Sequence, residues 1–492
     1  MTETAKKKRG MPSSFTILLA LLAIVAVITV IVSGTSGGAV TAARLSDFCT
    51  APILGFADAL PVCLFVMILG GFLGMMTETG ALDNGIAVLV QKLKGNEIML
   101  IPVLMLIFSL GGTTYGMCEE TVPFYALLAA TMMAAGFDPM VGAATVLLGA
   151  GCGCLGSTVN PFAVGAAVDA LTGVDIAVNQ SIIIGLGAVL WIVTTAMSIV
   201  FVMSYAKKVK ADKGSTILSM QELKDAEEAH GKAASEVHKE VKLTGRQKGV
   251  LIAFAFTFVV MIVGFIPLAD LNEGVANFFD AGAVYDADGN AVVQGWSALI
   301  TGLPIGQWYF DEASTWFFLM AILIGIIGGL SEKQIVNTFI TGAADMMSVV
   351  LVIALARGIS VLMANTGLDV YVLDAAANAL AGLSGVIFAP MSFLVYFGLS
   401  FLIPSTSGMA TVSMPIMGPL AVKLGFSPEV MVMIFSAAIG VVNLFTPTSG
   451  AIMGGLALAK IEWTTWLKFA LKLIVALSVV CAVILTVACV ML

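Results

Sequence analysis

The chain has 492 residues, 59% of them hydrophobic and only 11% charged, with a formal net charge of −8. Soluble domains carry about 25% charged residues, so this balance excludes a soluble multidomain protein and points to a polytopic all-α membrane protein. The charges lie in loops, so the acidic balance identifies no partner, and none of nucleic acid is expected; membrane lipid is.

In chain order, Lys6, Lys7, Lys8 and Arg9 precede the apolar run Phe15 to Val32. That run is long enough to span and reads as a first helix over about 14–33, not as a cleavable signal. Residues 34–62 read as including a polar loop with Arg44 and Asp47, and a second span follows at about 63–80, closed by Thr79-Gly80. Residues 84–96 read as a short amphipathic stretch with Lys92 and Lys94. Residues 98–135 are two apolar arms around the polar segment Thr113-Thr-Tyr-Gly-Met-Cys-Glu-Glu-Thr-Val-Pro123. Each arm falls short of the roughly 20 residues a crossing needs, so the pattern predicts a re-entrant hairpin whose tip reaches the bilayer middle. The next apolar segment, 140–172, is interrupted by Gly156-Ser-Thr-Val-Asn-Pro161. Proline removes a backbone donor and disfavours helix in the residue before it, so this is a broken helix. A span at about 181–204 leads to a polar, charged linker, 206–248, with the only two histidines, His230 and His238. Its composition predicts a solvated, partly helical cytoplasmic segment with no role for either histidine. Cys152 and Cys154 lack metal-ligand spacing and read as small packing residues.

The second half, 249–492, repeats the first, 1–205. Spans at about 249–268 and 314–330 flank an acidic loop with Asp280, Asp286 and Asp288. Then Gly55-Phe-Ala-Asp58 recurs as Gly342-Ala-Ala-Asp345, and Val62, Gly71, Met76 and Thr79-Gly80 recur as Val349, Gly358, Met363 and Thr366-Gly367. Thr114, Gly116, Met117 and Pro123 recur as Thr406, Gly408, Met409 and Pro415. A second hairpin is predicted over 385–424, a second broken helix over 429–460 around Asn443-Leu-Phe-Thr-Pro-Thr-Ser-Gly450, and a last span over about 466–491. Five crossings separate Gly55 from Gly342, and an odd number inverts one copy against the other, which makes this an inverted repeat. With the N-terminus in the cytoplasm, 20 of the 23 Lys and Arg residues fall inside, in keeping with the positive-inside rule.

Two hairpin tips and two helix breaks then meet near the midplane. Free N–H groups at half-helix N-termini suit carboxylates, and free carbonyls at C-termini suit Na⁺. The candidate substrate residues are Gly112, Thr113, Thr114 and Gly116 with Glu119 and Glu120 at the first tip; Ser157, Thr158 and Asn160 at the first break; Ser405, Thr406, Ser407 and Gly408 at the second tip; and Asn443, Thr446, Thr448 and Ser449 at the second break. A Na⁺ site is expected near Thr114, Asn160, Thr406 and Thr448, and the coupling ion is left as Na⁺ or H⁺, with no cofactor. A carboxylate at the bilayer centre costs about 2.5–3.5 kcal/mol, so Glu119 and Glu120 are expected to face a cavity and a partner. That partner is a cationic substrate group, a coupling proton or Arg357. Asp58 and Asp345 read as helix-start caps.

The Gly-x-Ala-Asp motif, Arg357-Gly358, the Thr-Gly that follows, Pro404-Ser-Thr-Ser-Gly408 and Thr446-Pro-Thr-Ser-Gly450 resemble the YfcC family of the dicarboxylate anaerobic carrier group, within the ion transporter superfamily. The resemblance implies a homodimeric bacterial inner-membrane carrier with a scaffold and a mobile transport domain working by an elevator motion. Its members are described as basic amino acid (arginine/ornithine-type) antiporters and sometimes as dicarboxylate carriers. The sodium signature of dicarboxylate relatives matches only in residue types, because Ser157-Thr-Val-Asn-Pro161 has another order. The expectation is a secondary transporter of amino acids, with a dicarboxylate as the rival substrate and a channel as the rival class. No His-Glu-x-x-His motif or histidine in a span supports an enzyme.

The charge distribution fixes a first prediction. A cysteine at position 213 should react with an impermeant thiol reagent only after the cytoplasmic face is opened, and one at position 288 should react in intact cells. Labelling of position 213 from outside would break the inverted-repeat topology.

Overall fold

A computed structural model describes residues 14–82, 84–85, 88, 96–236, 242–266, 268–271, 273–286, 291–403 and 405–492. The basic tail Lys6–Arg9, Lys92 and Lys94, His238, Asp288 and Pro404 lie outside the described residues. The first half contains α1 (Ser14–Ser33), α2 (Leu45–Asp58), α3 (Leu60–Glu78), α4 (Leu100–Tyr115), α5 (Val122–Ala134), α6 (Pro139–Leu155), α7 (Ala166–Thr172) and α8 (Gln180–Ala211). Helix α9 (Met220–Glu236) lies in the linker. The second half contains α10 (Gly245–Phe265), α11 (Phe310–Gly328), α12 (Glu332–Asp345), α13 (Met347–Thr366), α14 (Leu368–Leu380), α15 (Gly385–Leu402), α16 (Thr406–Lys423), α17 (Pro428–Val442), α18 (Gly450–Leu458) and α19 (Trp463–Met491). Two short helices and a two-stranded ribbon, Val284–Tyr285 with Ala291–Val293, occupy the loop between α10 and α11. Eight of the described helices are long and apolar enough to cross a membrane. The protein is an integral membrane protein of nearly all-helical architecture.

Packing directions establish the hairpins. Gly149 of α6 lies against Met105 and Phe108 of α4, and Gly153 lies against Ser109 and Gly112, so α4 and α6 run the same way. Helix α5 turns into α6 through Gly136 and runs the opposite way, with Leu128 against Gly142. Helices α4 and α5 are therefore antiparallel arms, joined further by the Phe108 and Phe124 rings at 5.5 Å. With the turn before it, α4 is long enough to span on its own, contrary to the short arm expected, yet the chain still doubles back at Gly116. In the second hairpin, Phe388 stacks on Phe426 while Tyr396 donates to Ser413, so α15 and α16 are antiparallel too. The breaks fall where expected, between α6 and α7 and between α17 and α18.

The recurring glycines mark a repeated helix crossing. Gly55 of α2 sits on Ala354 and Gly358 of α13, and Gly342 of α12 sits on Gly70 and Gly71 of α3. The two crossings are the same contact made twice with the halves exchanged, and both need backbones closer than any Cβ allows. The repeated Thr-Gly pairs end α3 and α13, with Gly80 at φ 63° and Gly367 at φ 71°, where a side chain would be strained.

Three expectations are corrected. Arg44 and Asp47 do not mark a loop: the Asp47 carboxylate accepts from the Arg44 N–H at 2.7 Å and starts α2. Asp58 and Asp345 are the last residues of α2 and α12, not helix-start caps. The linker is not simply solvated. Helix α9 packs on α5, His230 is buried with Nε2 3.1 Å from the Leu458 carbonyl, and buried Glu222 accepts from the Glu462 N–H at 3.0 Å. Burial pushes the His230 imidazole down, opposed by its bond to that carbonyl. Composition reads this helix as polar because only one of its faces is apolar.

A Cβ on Gly342 would lie 2.4 Å from the Gly70 carbonyl oxygen, whereas one on Gly398 would meet nothing within 4 Å. Overpacking costs about 1–3 kcal/mol. Gly342→Ala should therefore lower the apparent melting temperature of the detergent-purified protein, and Gly398→Ala should leave it unchanged or raise it.

Candidate substrate site

The first tip is built onto the first break. The left-handed Gly116, at φ 79°, lets the chain reverse so close to Asn160 that a Cβ would be 2.6 Å from its Oδ1. The Thr113 carbonyl accepts from the Thr158 N–H at 2.9 Å and the Thr158 hydroxyl at 3.0 Å, while the Thr113 hydroxyl donates to the Gly156 carbonyl at 2.6 Å. Asn160 Oδ1 accepts from the N–H groups of Phe162 and Ala163, and its amide donates to Ser157, which donates to the Cys154 carbonyl. The first break is thus a set of half-helix ends closed by side chains, not open backbone.

The second break is closed from elsewhere. Trp463 donates to the Phe445 carbonyl at 2.7 Å and Trp466 to the Leu444 carbonyl at 2.9 Å, both from α19. Thr446 and Thr448 bond to each other at 2.7 Å. At the second tip Ser405 caps α16 by accepting from the Gly408 N–H.

Between these pieces lies a cavity of about 170 Å³. Of the predicted residues, Gly116, Glu119, Glu120, Asn160, Ser405, Thr406, Ser407, Asn443, Thr448 and Ser449 line it. Gly112, Thr113, Ser157, Thr158, Gly408 and Thr446 do not; they close helix ends or pack beneath the wall. Thr114 does not line it either: its hydroxyl donates back to the Leu110 carbonyl at 2.7 Å. A cation site that includes Thr114 is thus not brought together, whereas Asn160, Thr406 and Thr448 do share the cavity. The side chains of Thr406, Ser407, Asn443 and Ser449 bond to no described residue.

Both glutamates line the cavity. Glu120 is buried and accepts from the Cys118 N–H at 2.9 Å, which folds it back on its own turn. Glu119 is only half-buried and is the more open of the two. Arg357 reaches the same cavity from α13, yet it pairs with neither glutamate; its Nε lies 3.0 Å from Asp58 Oδ2. Sequence reasoning missed the wall made by Phe162 and Phe310, stacked at 5.2 Å with Phe265 behind. Phe162 directly follows the Asn160-Pro161 break, which is the signal that could have found it. Phe310 opens a helix that carried no motif. Cys154, read as a packing residue, also touches the cavity.

The sequence profile of the C4-dicarboxylate anaerobic carrier family, DcuC, matches residues 40–490. A Haemophilus influenzae protein is 28% identical over 445 residues, covering 90% of this chain and 78% of that protein. An Escherichia coli protein named "Putative basic amino acid antiporter YfcC" is 27% identical over 440 residues, covering 87% and 77%. Two solved structures align over nearly their full lengths. Neisseria gonorrhoeae MtrF, described as illuminating a class of antimetabolite efflux pumps, is 17% identical, with 98% of this chain and 96% of that one covered and a TM-score of 0.44. The Alcanivorax borkumensis YdaH transporter is 15% identical, with 96% and 97% covered and a TM-score of 0.47. At those scores nothing is carried from either to this chain.

The hydrogen bonds sort the hydroxyl and amide residues into two groups. Ser407→Ala and Asn443→Ala should weaken ligand binding and leave the ligand-free melting temperature unchanged. Thr113→Val should lower that temperature instead, because it strands the buried Gly156 carbonyl at a cost of about 1–3 kcal/mol, and Thr158→Val should lower it less, because the Thr113 carbonyl keeps the Thr158 N–H. Thermal unfolding with and without ligand reads both effects.

Proposed function

The chain belongs to the C4-dicarboxylate anaerobic carrier family of membrane transporters, and from that premise we propose that it is a secondary transporter of amino acids, basic ones in particular, exchanging them across a bacterial inner membrane. The observation that carries this reading is the charge of the cavity. Glu119 and Glu120 face it, and the one cationic side chain among its lining residues, Arg357, already has an anionic partner in Asp58. With both carboxyl groups ionised the surplus is negative, which matches an amino acid with a cationic side chain and opposes a dianion. The printed name of the Escherichia coli relative agrees in substrate class. The family description favours a dicarboxylate as the second reading.

An elevator motion is part of the proposal. Helices α1, α2, α3, α10, α11, α12 and α13 pack chiefly on one another, and the hairpins, broken helices, α8, α9 and α19 form a second group. The first group suits a scaffold and the second a moving domain, the cavity lying where α13 meets the tips. A homodimer, a cytoplasmic N-terminus and substrate residues chosen from the ten lining candidates complete the reading. Exchange needs no coupling ion; Na⁺ at Asn160, Thr406 and Thr448, or H⁺ on Glu119, would serve an ion-coupled mode.

Glu119→Gln should weaken arginine or ornithine binding at least tenfold, about 1.4 kcal/mol, and a neutral amino acid far less, with the pH profile of uptake preserved. If Glu119 instead carries a coupling proton, the same substitution should abolish pH-driven uptake and spare exchange. Unchanged binding of cationic substrate in both Glu119→Gln and Glu120→Gln would remove the basis for a basic amino acid.

A further inference from the structure

We infer that Arg357 is the carboxylate-recognising group of the cavity, with Asp58 as the residue that positions it; this rests on the amino acid reading above. The first argument is symmetry. The α2–α13 crossing and the α12–α3 crossing are the same contact, and at the shared offset of the repeat Asp58 matches Asp345 while Arg357 matches Gly70. The second crossing closes on a glycine, with Gly342 packed against its carbonyl. The frame therefore has no need of an arginine at this position. One copy has gained a cation, and that copy is the one whose side chain lines the cavity.

The second argument is donor capacity. Arginine in a span costs about 2.5–3.5 kcal/mol, so it is held there by what it binds. Its guanidinium has five N–H donors in a rigid fork. The Nε lies 3.0 Å from Asp58 Oδ2 as an ion pair, and no described residue accepts a hydrogen bond from the guanidinium. The Asp58 side chain is 52% exposed and that of Arg357 24%, so the pair is not sealed, and Arg357 is the member that lines the cavity. A paired Nε with the Nη edge left open presents the flat, two-point face that fits a carboxylate. Arg357 stands on α13 and Glu119 on the first tip. A ligand with a carboxylate at one end and a cation at the other would bridge them, and would place the two charged ends on different packing groups of the protein.

The test compares arginine with agmatine, which keeps the guanidinium and lacks the carboxylate. By calorimetry, wild-type protein should bind arginine at least tenfold tighter. Arg357→Gln should bring arginine down to the agmatine level with agmatine unaffected, so that retained agmatine binding also reports the fold. Asp58→Asn should narrow the ratio severalfold. An arginine preference undiminished in Arg357→Gln would overturn the assignment while sparing the amino acid reading. If wild-type protein ignores both ligands and binds succinate, the amino acid reading fails, and loss of succinate binding in Arg357→Gln would still support the carboxylate role, whereas retention would overturn it. A second measurement needs no variant: phenylglyoxal modification of Arg357, mapped by mass spectrometry, should be blocked by ornithine and not by putrescine, neither of which carries a guanidinium that would consume the reagent. Equal protection by the two would overturn the proposal.

Discussion

Backbone that leaves a helix inside hydrocarbon must find its hydrogen-bond partners in protein. The rest of this structure depends on that constraint. Two helices are broken, and the elements packed against them supply much of what the breaks lack. Thr113 closes Gly156 and Thr158, Asn160 closes the start of the following half-helix, and two tryptophans of α19 close Leu444 and Phe445. The first hairpin is the part that allows its break to exist. A cavity lined by polar groups follows, because the residues that closing the breaks does not use are left pointing between the pieces.

The repeat provides a nearly symmetric frame, and the site departs from it. The glycine crossings, the left-handed ends of α3 and α13 and the hairpin turns at Gly136 and Gly425 are matched between halves. Glu119, Glu120 and Arg357 are not: their counterparts in the other half are Thr411, Val412 and Gly70. Each charge stands in one copy of its repeat position only, the glutamates in the first half and the arginine in the second, and all three line one cavity. Packing explains the shared residues, whereas the unshared ones line the cavity.

Much of this was legible in the sequence, for a physical reason. Spans, hairpins and breaks are written in hydropathy and in Gly and Pro, which act locally. Hence Asn160-Pro161 and Thr446-Pro447 marked breaks that the fold contains. Which hydroxyl turns inward was not legible. Thr113 and Thr406 are alike as residues, yet one is consumed in closing a helix end and the other faces open space, a difference set by what packs behind each. The partner of Arg357 was hidden because Asp58 is nearly 300 positions away. The docking of His230 was hidden because a helix with one apolar face has the average composition of a solvated loop.

The two tips are fastened differently. The first is laced to its break by hydrogen bonds from Thr113 and Thr158, and by the Cys154 thiol donating to the Met117 carbonyl. Among the described residues, the second tip makes no hydrogen bond to its break; it meets Phe445 only through the rings of Phe397 and Phe401 at 5.9 and 5.5 Å. Net hydrogen bonds are worth about 0.5–1.5 kcal/mol each, and more when a buried group is stranded. Ring contacts can slide without stranding any polar group. Lifting the first tip would tear several bonds at once, and lifting the second would tear none to its break among the described residues. The cavity has one bolted wall and one latch, and the latch is on the side of Ser405–Ser407.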